Sequence, residues 1–420
     1  MDEAIFTRKI EEIGGKAYLV GGAVRDKFRG VEAHDKDYCV VGITEADFNK
    51  QFPKAFKVGN SFPVYKVLID DNLCEVAFAR RERKIGAGYR GFETIFEPTV
   101  TIEDDLYRRD TTMNAIAIDL QSGNAIDPYS GIKDIEDHKI RAISKHFVDD
   151  PVRALRAARQ SAQFQFDITY DTIIAMNKCG DELAQEPSER IFNELNLALQ
   201  TNKPSIFFRN LERAKLLEII FPELHQMIGQ TQPTEFHPEG DAFEHIMNIV
   251  DEVAKVNDKP LVRFAALVHD LGKGTTPKNM LPHHYGHDAR GLIVLNEWNR
   301  RMTMPRDWLK AAKFVIECHM HAPLYKKPGK IVDLIMKIQS TKLSFSDFND
   351  IILADHNSLP IYLEHSAQIY DELLKVNGSE HPEGLQGEQI GQWIRSERIK
   401  RYLEFIQNKI SIEQEGFFNE

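Results

Sequence analysis

Residues 18–41 read YLVGGAVRDKFRGVEAHDKDYCVV, and this stretch decides the fold of the first part of the chain. The apolar run Tyr18–Val20 predicts a short buried strand, which two glycines end. Ala23 to Phe28 predicts a helix, and Asp37 to Val41 predicts a second strand. Glycines at a strand-to-helix turn let backbone amides approach a bulky anion. The stretch therefore predicts an α/β region built to receive an anion.

Two acidic residues, Asp35 and Asp37, lead into the second strand. Because side chains alternate along a strand, we expect both carboxylates on one side. Mg²⁺ takes one or two carboxylates plus substrate phosphates, and paired metals suit phosphoryl transfer. The alternative is a tight turn followed by a solvated acidic loop. The glycine pair and the acidic pair occur in one stretch, which favours the metal site.

Several motifs resemble those of the class II tRNA nucleotidyltransferases, the CCA-adding enzymes, and the related bacterial poly(A) polymerases. They are GGAVRD at 21–26, DKD at 35–37, RRDTTMN at 108–114, DPYSG at 127–131 and DDPVRALRAAR at 149–159. The resemblance implies a polymerase-β-like head with a small mixed sheet, in an α+β fold that continues as helices. It also implies Mg²⁺ on the catalytic residues Asp35 and Asp37. Its partners would be tRNA, CTP and ATP. The tRNA 3′-hydroxyl would attack the α-phosphate, and pyrophosphate would leave.

The same resemblance assigns residues to the nucleotide. Gly22, Arg25 and Arg109 would hold the triphosphate, and Asp110 or Asn114 would meet the ribose. Without the resemblance, Arg109 has a structural interpretation, because Asp105 lies four residues earlier at the spacing of a helical ion pair. A further candidate, the basic run 80–90, predicts either a flexible RNA-binding loop or a solvated surface loop.

Asp150 and Pro151 predict the start of a helix on which Asp150, Arg153 and Arg156 share one side. Cytosine and adenine each present an amino donor beside a ring-nitrogen acceptor. An Asp–Arg pair complements this order, whereas uracil and guanine present the reverse order. The alternative is a capping aspartate on a solvated face. In the CCA-adding enzymes this motif is the protein template, so the resemblance favours base reading.

A second group of residues lies further along the chain, at His245, His269, Asp270 and Asp355. An adjacent His-Asp pair at the end of an apolar helix needs a compensating partner if it is buried. Two imidazoles and two carboxylates can hold one borderline transition metal, with Ni²⁺ as one candidate. The pattern resembles the HD-domain metal phosphohydrolases. It implies phosphatase, 2′-nucleotidase and 2′,3′-cyclic phosphodiesterase activities.

Nearby in sequence are Lys273 and the histidines of PHHYGH at 282–287, namely His283, His284 and His287. These side chains could bind a substrate phosphate or a second metal, and the sequence assigns them no ligand role. The sequence alone therefore leaves open whether the site holds one ion or two.

Composition sets broad limits. The 420 residues carry a net charge of −11, with 42% hydrophobic and 28% charged residues, as in ordinary globular proteins. The 4 cysteines form no CxxC pair, which favours free thiols in a reducing compartment. The charged N-terminus and the lack of a long apolar run predict a cytoplasmic protein that does not span a membrane. The sequence leaves open whether the protein is a monomer or a homodimer.

The pattern predicts four regions: a nucleotidyltransferase head at 1–140, a helical neck and body at 141–228, an HD domain at 229–350, and a helical tail at 351–420 that contributes Asp355. Two other functions stay open. One is a bacterial poly(A) polymerase, against which the acidic balance and the appended HD region argue. The other is an RNA-binding module with vestigial sites, which the complete set of carboxylates disfavours.

Overall fold

A computed structural model describes residues 1–32, 35–58, 62–86, 91–235 and 237–417, with side chains described to residue 409. The chain divides into two compact units. The first unit comprises Met1–Glu194 and Ile206–Phe221, and the second comprises Leu195–Ser205 and Pro222–Glu420.

The strands belong to the first unit. They are β1 (Lys16–Val20), β2 (Asp37–Val41), β3 (Phe56–Lys57), β4 (Val64–Ile69), β5 (Asn72–Phe78), β6 (Arg81–Lys84), β7 (Phe92–Ile95), β8 (Ala117–Asp119), β9 (Ala125–Ile126), β10 (Lys139–Ile140) and β11 (Asp167–Ile168).

The α-helices begin before the first strand and dominate the chain beyond residue 150. They are α1 (Glu3–Glu12), α2 (Gly22–Phe28), α3 (Glu45–Gln51), α4 (Ile102–Tyr107), α5 (Gly131–Glu136), α6 (Val152–Phe164), α7 (Tyr170–Asn177), α8 (Gly180–Leu183), α9 (Ser188–Leu199), α10 (Ser205–Arg213), α11 (Leu217–Ile220), α12 (Pro222–His225), α13 (Ala242–Val256), α14 (Pro260–Val268), α15 (His287–Arg301), α16 (Arg306–Cys318), α17 (Pro328–Ile338), α18 (Phe345–His356), α19 (Ile361–Glu364), α20 (Ser366–Leu374) and α21 (Glu388–Phe417). Short 3₁₀ helices span Thr112–Asn114, Lys145–Asp149, Leu271–Thr275, Lys278–Met280, Ala322–Leu324 and Gly378–Glu380.

In the described part of the first unit, a mixed sheet of 7 strands has the order β3-β4-β5-β2-β1-β8-β9. The pair β2–β5 is parallel, and the other pairs in this sheet are antiparallel. Both faces are covered. Tyr38 and Val40 of β2 pack into one apolar cluster, and Cys39 packs into another on the opposite face. The predicted head with a small mixed sheet, followed by helices, is confirmed.

The turn after β1 depends on glycine. Gly21 has φ 74° and ψ −138°, a conformation that residues with a Cβ rarely adopt. A Cβ built there would lie 3.5 Å from both a guanidinium nitrogen of Arg109 and a carboxylate oxygen of Asp37. The turn therefore brings the chain close to two side chains that the sequence predicts to be functional.

The runs Val64 to Ile69 and Cys74 to Ala79 predict a hairpin about residues 70–72, and a hairpin joins β4 to β5. Asp70 and Asp71, at its tip, have φ 48° and 62°. Two consecutive residues of positive φ match the right-handed twist of the flanking strands, and aspartate tolerates this region. The second strand begins at Asn72 rather than at the predicted Cys74.

All four cysteines, Cys39, Cys74, Cys179 and Cys318, are buried free thiols. Burial raises the pKa of each thiol, to about 12 for Cys179 and about 11 for Cys318. This state agrees with the reduced thiols that the sequence predicts.

In the second unit, a buried arginine ties helix ends together. Arg263, on α14, is 4% exposed. Its guanidinium donates to the backbone carbonyls of Asn257 (2.6 Å), Leu199 (2.6 Å), Thr201 (2.8 Å) and Ala254 (3.0 Å). Because carbonyls in the last turn of a helix lack intrahelical donors, this side chain satisfies groups that would otherwise be buried and unpaired.

We expect Arg263→Met to lower the free energy of unfolding of the second unit by about 3 kcal/mol, because it leaves several buried carbonyls without donors. Urea denaturation followed by circular dichroism measures this change. Arg300→Met, the same replacement at an exposed position of α15, is the control and should change the free energy by less than ~0.5 kcal/mol. Equal losses in the two variants would contradict the role given to Arg263.

None of the helices in the described ranges is long and apolar enough to cross a bilayer. The predicted division into four regions stays a prediction. One of its boundaries, between residues 350 and 351, falls inside α18 (Phe345–His356), which runs without a break to the predicted ligand Asp355.

Candidate active sites

The first unit contains a cavity of about 450 Å³ at the edge where β1 turns into α2. It gathers the residues that the sequence predicts for nucleotide binding. The lining residues are Gly21, Gly22, Arg25, Asp37, Arg80, Glu82, Arg108, Arg109, Asp110, Asn114, Asp150, Arg153 and Arg156. Asp35 is exposed in the segment just before β2 and does not line the cavity.

Asp37 lies in an acidic environment. β2 and β5 run parallel with Asp37 in register with Glu75, which in turn pairs with Lys66 at 3.0 Å. Burial and the nearby carboxylate of Glu75 raise the pKa of Asp37, with a smaller contribution from Asp35, while the charges of Arg109 and Lys66 act in the opposite direction. Because these neighbouring negative charges repel one another, a divalent cation beside Asp37 would be stabilised. The donor set therefore fits Mg²⁺.

Two arginines of the cavity wall are held by other side chains. The Nη1 of Arg25 donates to Oδ1 of Asn114 at 2.9 Å. The Nη2 of Arg109 donates to Oδ2 of the buried Asp105 at 3.0 Å, so the predicted helical ion pair is present. Burial opposes the charge of Asp105, but Arg108 and Arg109 lower its pKa. Arg109 therefore makes the structural ion pair and lines the cavity as well.

The residues predicted to read the base are also fixed in place. The Nη2 of Arg190 donates to both carboxylate oxygens of Asp150, each at 3.0 Å. Arg153 donates through Nη1 to the carbonyl of His146 at 2.6 Å and through Nη2 to the carbonyl of Arg108 at 2.7 Å. A guanidinium carries five N–H donors, so these two bonds orient Arg153 and leave donors for a ligand.

Asp110 is buried, and both its oxygens are occupied. It accepts from Arg156 Nε at 2.8 Å, from Gln160 Nε2 at 2.9 Å and from Asn114 Nδ2 at 2.9 Å. Burial opposes its charge, but Arg156 and Asn114 lower the pKa of Asp110. The structure thus gives Asp110 and Arg156 mutual contacts, in addition to their places in the cavity wall.

Sequence reasoning missed Glu82 and Arg108 in this cavity and misjudged part of the basic run 80–90. Residues 81–84 form strand β6, paired with β7, rather than a flexible loop. Cross-strand charge pairs stabilise the hairpin, since Arg83 contacts Glu93 at 2.6 Å. Residues 87–90 of the predicted loop lie outside the described residues.

The second unit brings the four predicted metal ligands together. Nε2 of His269 lies 3.2 Å from Oδ2 of Asp270, and Nε2 of His245 lies 3.1 Å from Oδ1 of Asp355. His245, His269 and Asp270 each offer one potential ligand atom, and these atoms lie within 4.8 Å of one another, close enough to bind one metal ion. Helix α13 carries His245, the end of α14 carries His269, and the last turn of α18 carries Asp355.

Charges are concentrated in this second site. Burial opposes the charged form of His269, but Asp270 and Asp355 raise its pKa to about 10. Burial also opposes the charge of Asp270, but Lys273 and His269 lower the pKa of that carboxyl well below its usual range. Nζ of Lys273 lies 2.5 Å from Oδ2 of Asp270. These buried carboxylates are therefore ionised and attract cations, which fits a divalent metal.

Beside these residues is a cavity of about 750 Å³, large enough for a nucleotide-sized ligand. Its wall includes Asp270, Lys273, His284, His287 and Asp355. His284 is engaged by Thr276 Oγ1 at 2.8 Å and by the carbonyl of Thr231 at 3.1 Å. Lys273 contacts Asp270, one of the predicted metal ligands, and also lines this cavity.

Sequence reasoning named His287 without giving it a role and missed His319. Both imidazoles face Oδ1 of Asp270, at 3.1 Å and 3.3 Å respectively. Gly272 makes this approach possible, because a Cβ at that position would overlap the carbonyl of His287. The spacing of residues along the sequence could not have revealed His319, because its position depends on the packing of α16 against α14.

Known proteins resemble this chain along most of its length. The Poly A polymerase head domain matches residues 17–141, and a probable RNA- and SrmB-binding site of polymerase A matches residues 165–228. The multifunctional CCA protein of Mannheimia succiniciproducens is 40% identical over 335 residues, which cover 77% of this chain and 79% of the relative. That of Nitrosococcus oceani is 36% identical over 406 residues, which cover 92% and 97%.

A solved structure also resembles the chain. It is a tRNA nucleotidyltransferase complexed with a primer tRNA and an incoming ATP analogue, with a TM-score of 0.59 and 22% identity. The match covers 88% of this chain and 98% of that one. At this identity the likeness establishes a shared fold.

Proposed function

Because the chain belongs to the family of the multifunctional CCA proteins, we propose that it adds and repairs the 3′-terminal CCA of tRNA from CTP and ATP. The tRNA 3′-hydroxyl attacks the α-phosphate of the nucleotide, and pyrophosphate leaves. One observation carries the proposal: a single cavity contains Asp37, the arginines Arg25 and Arg109, and the pair Asp150 and Arg153.

The chain's own residues account for triphosphate binding. Asp26 and Asn114 orient Arg25, and Asp105 orients Arg109, so the remaining N–H groups of both arginines can donate to phosphate oxygens with little loss of side-chain freedom. Asp35 and Asp37 would hold Mg²⁺. When bound there, Mg²⁺ would neutralise charge on the phosphate oxygens of the transition state.

The pair Asp150 and Arg153 accounts for the choice of base. Asp150 accepts a hydrogen bond from the amino group of cytosine or adenine, and Arg153 donates to the adjacent ring nitrogen. Arg190 and the two backbone carbonyls hold this pair in advance. Uracil would place its carbonyl against the carboxylate, which costs ~1–3 kcal/mol for the mismatched group.

Asp150→Asn should weaken this discrimination, because an amide can donate to the uracil carbonyl as well as accept from an amino group. We expect the ratio of UTP to CTP incorporation to rise about 10-fold, the equivalent of ~1.4 kcal/mol. Single-turnover incorporation on a tRNA that lacks its CCA end measures the ratio. Asp149→Asn is the matched control, since Asp149 contacts His146 at 2.7 Å and does not line the cavity. An unchanged ratio in the Asp150 variant would count against base reading by this pair.

The proposed function itself is tested by offering the four triphosphates singly and together to that tRNA, with Mg²⁺. Addition of two C residues and one A residue is the expected result. Synthesis of a poly(A) tract without C incorporation would instead favour a poly(A) polymerase. A folded protein that incorporates no nucleotide would favour an RNA-binding module with vestigial sites.

We propose that the second unit is a phosphohydrolase of the HD-domain type. Its substrates are phosphate monoesters, 2′-nucleotides and 2′,3′-cyclic phosphates. His245, His269, Asp270 and Asp355 would hold a divalent transition metal such as Ni²⁺. Their side chains converge, and His245, His269 and Asp270 are buried, which supports this assignment. When bound, the metal would lower the pKa of a water ligand toward neutrality. Lys273 is positioned to donate to a phosphate oxygen in the adjacent cavity.

A further inference from the structure

Two large apolar side chains are largely exposed in the wall of the cavity in the second unit. Tyr285 is 71% exposed and Leu324 is 70% exposed. Both line the cavity that also contains Asp270 and Lys273. Among the large hydrophobic side chains that the structure describes, only Tyr170, in the first unit, is more exposed. Single exposed apolar residues are ordinary, but two of them in the wall of one ligand-sized cavity indicate a ligand with an apolar part.

The backbone that carries Tyr285 is held in place by neighbouring side chains. Nη1 of Arg290, on α15, donates to the carbonyl of Tyr285 at 2.5 Å. The Nε and Nη2 of the same arginine donate to the hydroxyls of Thr275 and Thr276, at 3.0 Å and 2.9 Å. The buried ring of His284 contacts the hydroxyl of Thr276 at 2.8 Å. Because this backbone is already ordered, a ligand can pack on the exposed ring with little further loss of conformational freedom.

Neighbouring groups extend the ring of Tyr285 into a larger surface. The ring of His283 also lines the cavity and lies nearly parallel to that of Tyr285, with centroids 5.6 Å apart and planes 24° apart. Leu324 ends the 3₁₀ helix Ala322–Leu324, where its amide donates to the carbonyl of His321 at 3.0 Å. We call His283, Tyr285 and Leu324 the stacking platform. A surface of this kind suits a flat aromatic ring, such as a nucleobase.

The polar part of the same wall indicates what the aromatic ring is attached to. Nζ of Lys273 lies 2.5 Å from Oδ2 of Asp270 and donates to Oε1 of Gln232 at 2.5 Å. An ammonium group has three N–H donors, so these two contacts leave one donor for a ligand oxygen. Phosphate oxygens accept strongly from a cationic donor. A nucleotide joins a phosphate to a flat aromatic ring, and a cavity of about 750 Å³ is large enough for one.

We propose that the stacking platform binds the nucleobase of the substrate of the second site. The proposed phosphohydrolase would then act on nucleotides in preference to phosphoesters that lack a base. The inference rests on the proposed phosphohydrolase and deepens it, because it assigns residues to a part of the substrate that does not react. Every nucleobase has a π-face, so stacking selects for the presence of a base and not for its identity.

Steady-state hydrolysis of two substrates tests the inference. One is 2′,3′-cyclic AMP, and the other is methyl ribofuranoside 2,3-cyclic phosphate, which lacks the base. We expect Tyr285→Ala to raise the KM for the nucleotide about 10-fold without changing kcat, because stacking stabilises the bound substrate and the transition state equally. The loss should be confined to the substrate that carries a base. Tyr285→Phe keeps the ring and should keep the KM. Tyr170→Ala is the matched control, because it removes an exposed tyrosine from the first unit.

Photocrosslinking locates the base without relying on turnover. The full-length protein is irradiated with 8-azidoadenosine 2′-monophosphate in the presence of a chelator, digested and analysed by mass spectrometry. We expect adducts on the peptide that contains His283 and Tyr285, and excess 2′-AMP should suppress them. Absence of adducts from this peptide would overturn the placement of the base.

The kinetic outcomes separate this inference from the function on which it rests. An unchanged KM in Tyr285→Ala would overturn the stacking platform and leave the phosphohydrolase in place. A lower kcat for both substrates would give Tyr285 a structural role and would also overturn base binding. If the unmodified protein hydrolyses neither substrate, the proposed phosphohydrolase itself is wrong.

Discussion

Asp37→Asn is expected to reduce nucleotide incorporation about 1,000-fold or more, because an amide cannot supply the negative charge on which Mg²⁺ binding at the first site depends. Asp37 is the first residue of β2, in register with Glu75 and close to Arg109. The replacement therefore removes a charge without removing a side chain from the hydrophobic core. Asp35→Ala should have the same effect. The rate of a single CTP addition under saturating nucleotide measures the loss.

The control for this prediction is Asp71→Asn. Asp71 is an exposed residue of the β4–β5 hairpin with φ 62°, and asparagine tolerates that conformation. Its incorporation rate should match that of the unmodified protein. Hydrolysis of 2′,3′-cyclic AMP should persist in the Asp37 and Asp35 variants. If a folded Asp37 variant loses both activities, the assignment of two separate sites is wrong.

Asp270→Asn should abolish metal-dependent hydrolysis, with a loss of about 1,000-fold, and leave nucleotide incorporation unchanged. The buried carboxylate faces His269 and Lys273. An amide at this position has no negative charge to attract a divalent cation, and only one of its two terminal atoms can accept a hydrogen bond from these side chains. Release of 2′-AMP or 3′-AMP from the cyclic nucleotide, followed by chromatography, measures the loss. His269→Ala should behave in the same way.

Asp333→Asn is the matched control for the second site, because Asp333 is exposed and pairs with Arg395 at 2.8 Å. Thermal denaturation identifies any variant that fails to fold. Retained hydrolysis in a folded Asp270 variant would falsify the HD-type assignment.

Much of the first unit follows from local sequence signals. The strand Asp37–Val41, the helix Val152–Phe164 and the turn at Asp70 and Asp71 all depend on hydrophobic periodicity or on turn residues, which act over a few positions. The strand order does not follow from such signals. The parallel pairing of β2 with β5 depends on packing between segments that are distant in sequence.

The residues and contacts that form the wall of the first cavity were only partly predictable, because some of them also depend on packing between distant segments. Asp150 and Arg153 share a motif with known chemistry, so they could be named in advance. The contacts that orient them could not, because Arg190 reaches Asp150 from another helix and the carbonyl of Arg108 comes from the end of α4. Gln160 shows the same limit, since its bonds to Thr111 and Asp110 depend on the docking of α6.

In the second unit, the adjacent pair His269 and Asp270 at the end of an apolar helix could be singled out from the sequence. His287 and His319 are weak signals, because a single histidine on an apolar helix is usually a satisfied core residue. Their significance comes from Gly272, which lets α15 approach the 3₁₀ turn after Asp270, and from the contact of α16 with α14. Contacts of this kind form when segments distant in sequence pack together, so the sequence pattern does not reveal them.

Because every thiol is buried, cysteine labelling can measure how often each part of this protein unfolds locally. Cys39, Cys74 and Cys179 belong to the first unit, and Cys318 belongs to the second. A thiol shielded in this way reacts with an alkylating reagent only when its surroundings transiently unfold. Pulsed alkylation followed by peptide mass spectrometry would therefore time the opening of each unit separately, in the unmodified protein and under native conditions. Synchronous labelling would indicate one cooperative folding unit, and staggered labelling would indicate two.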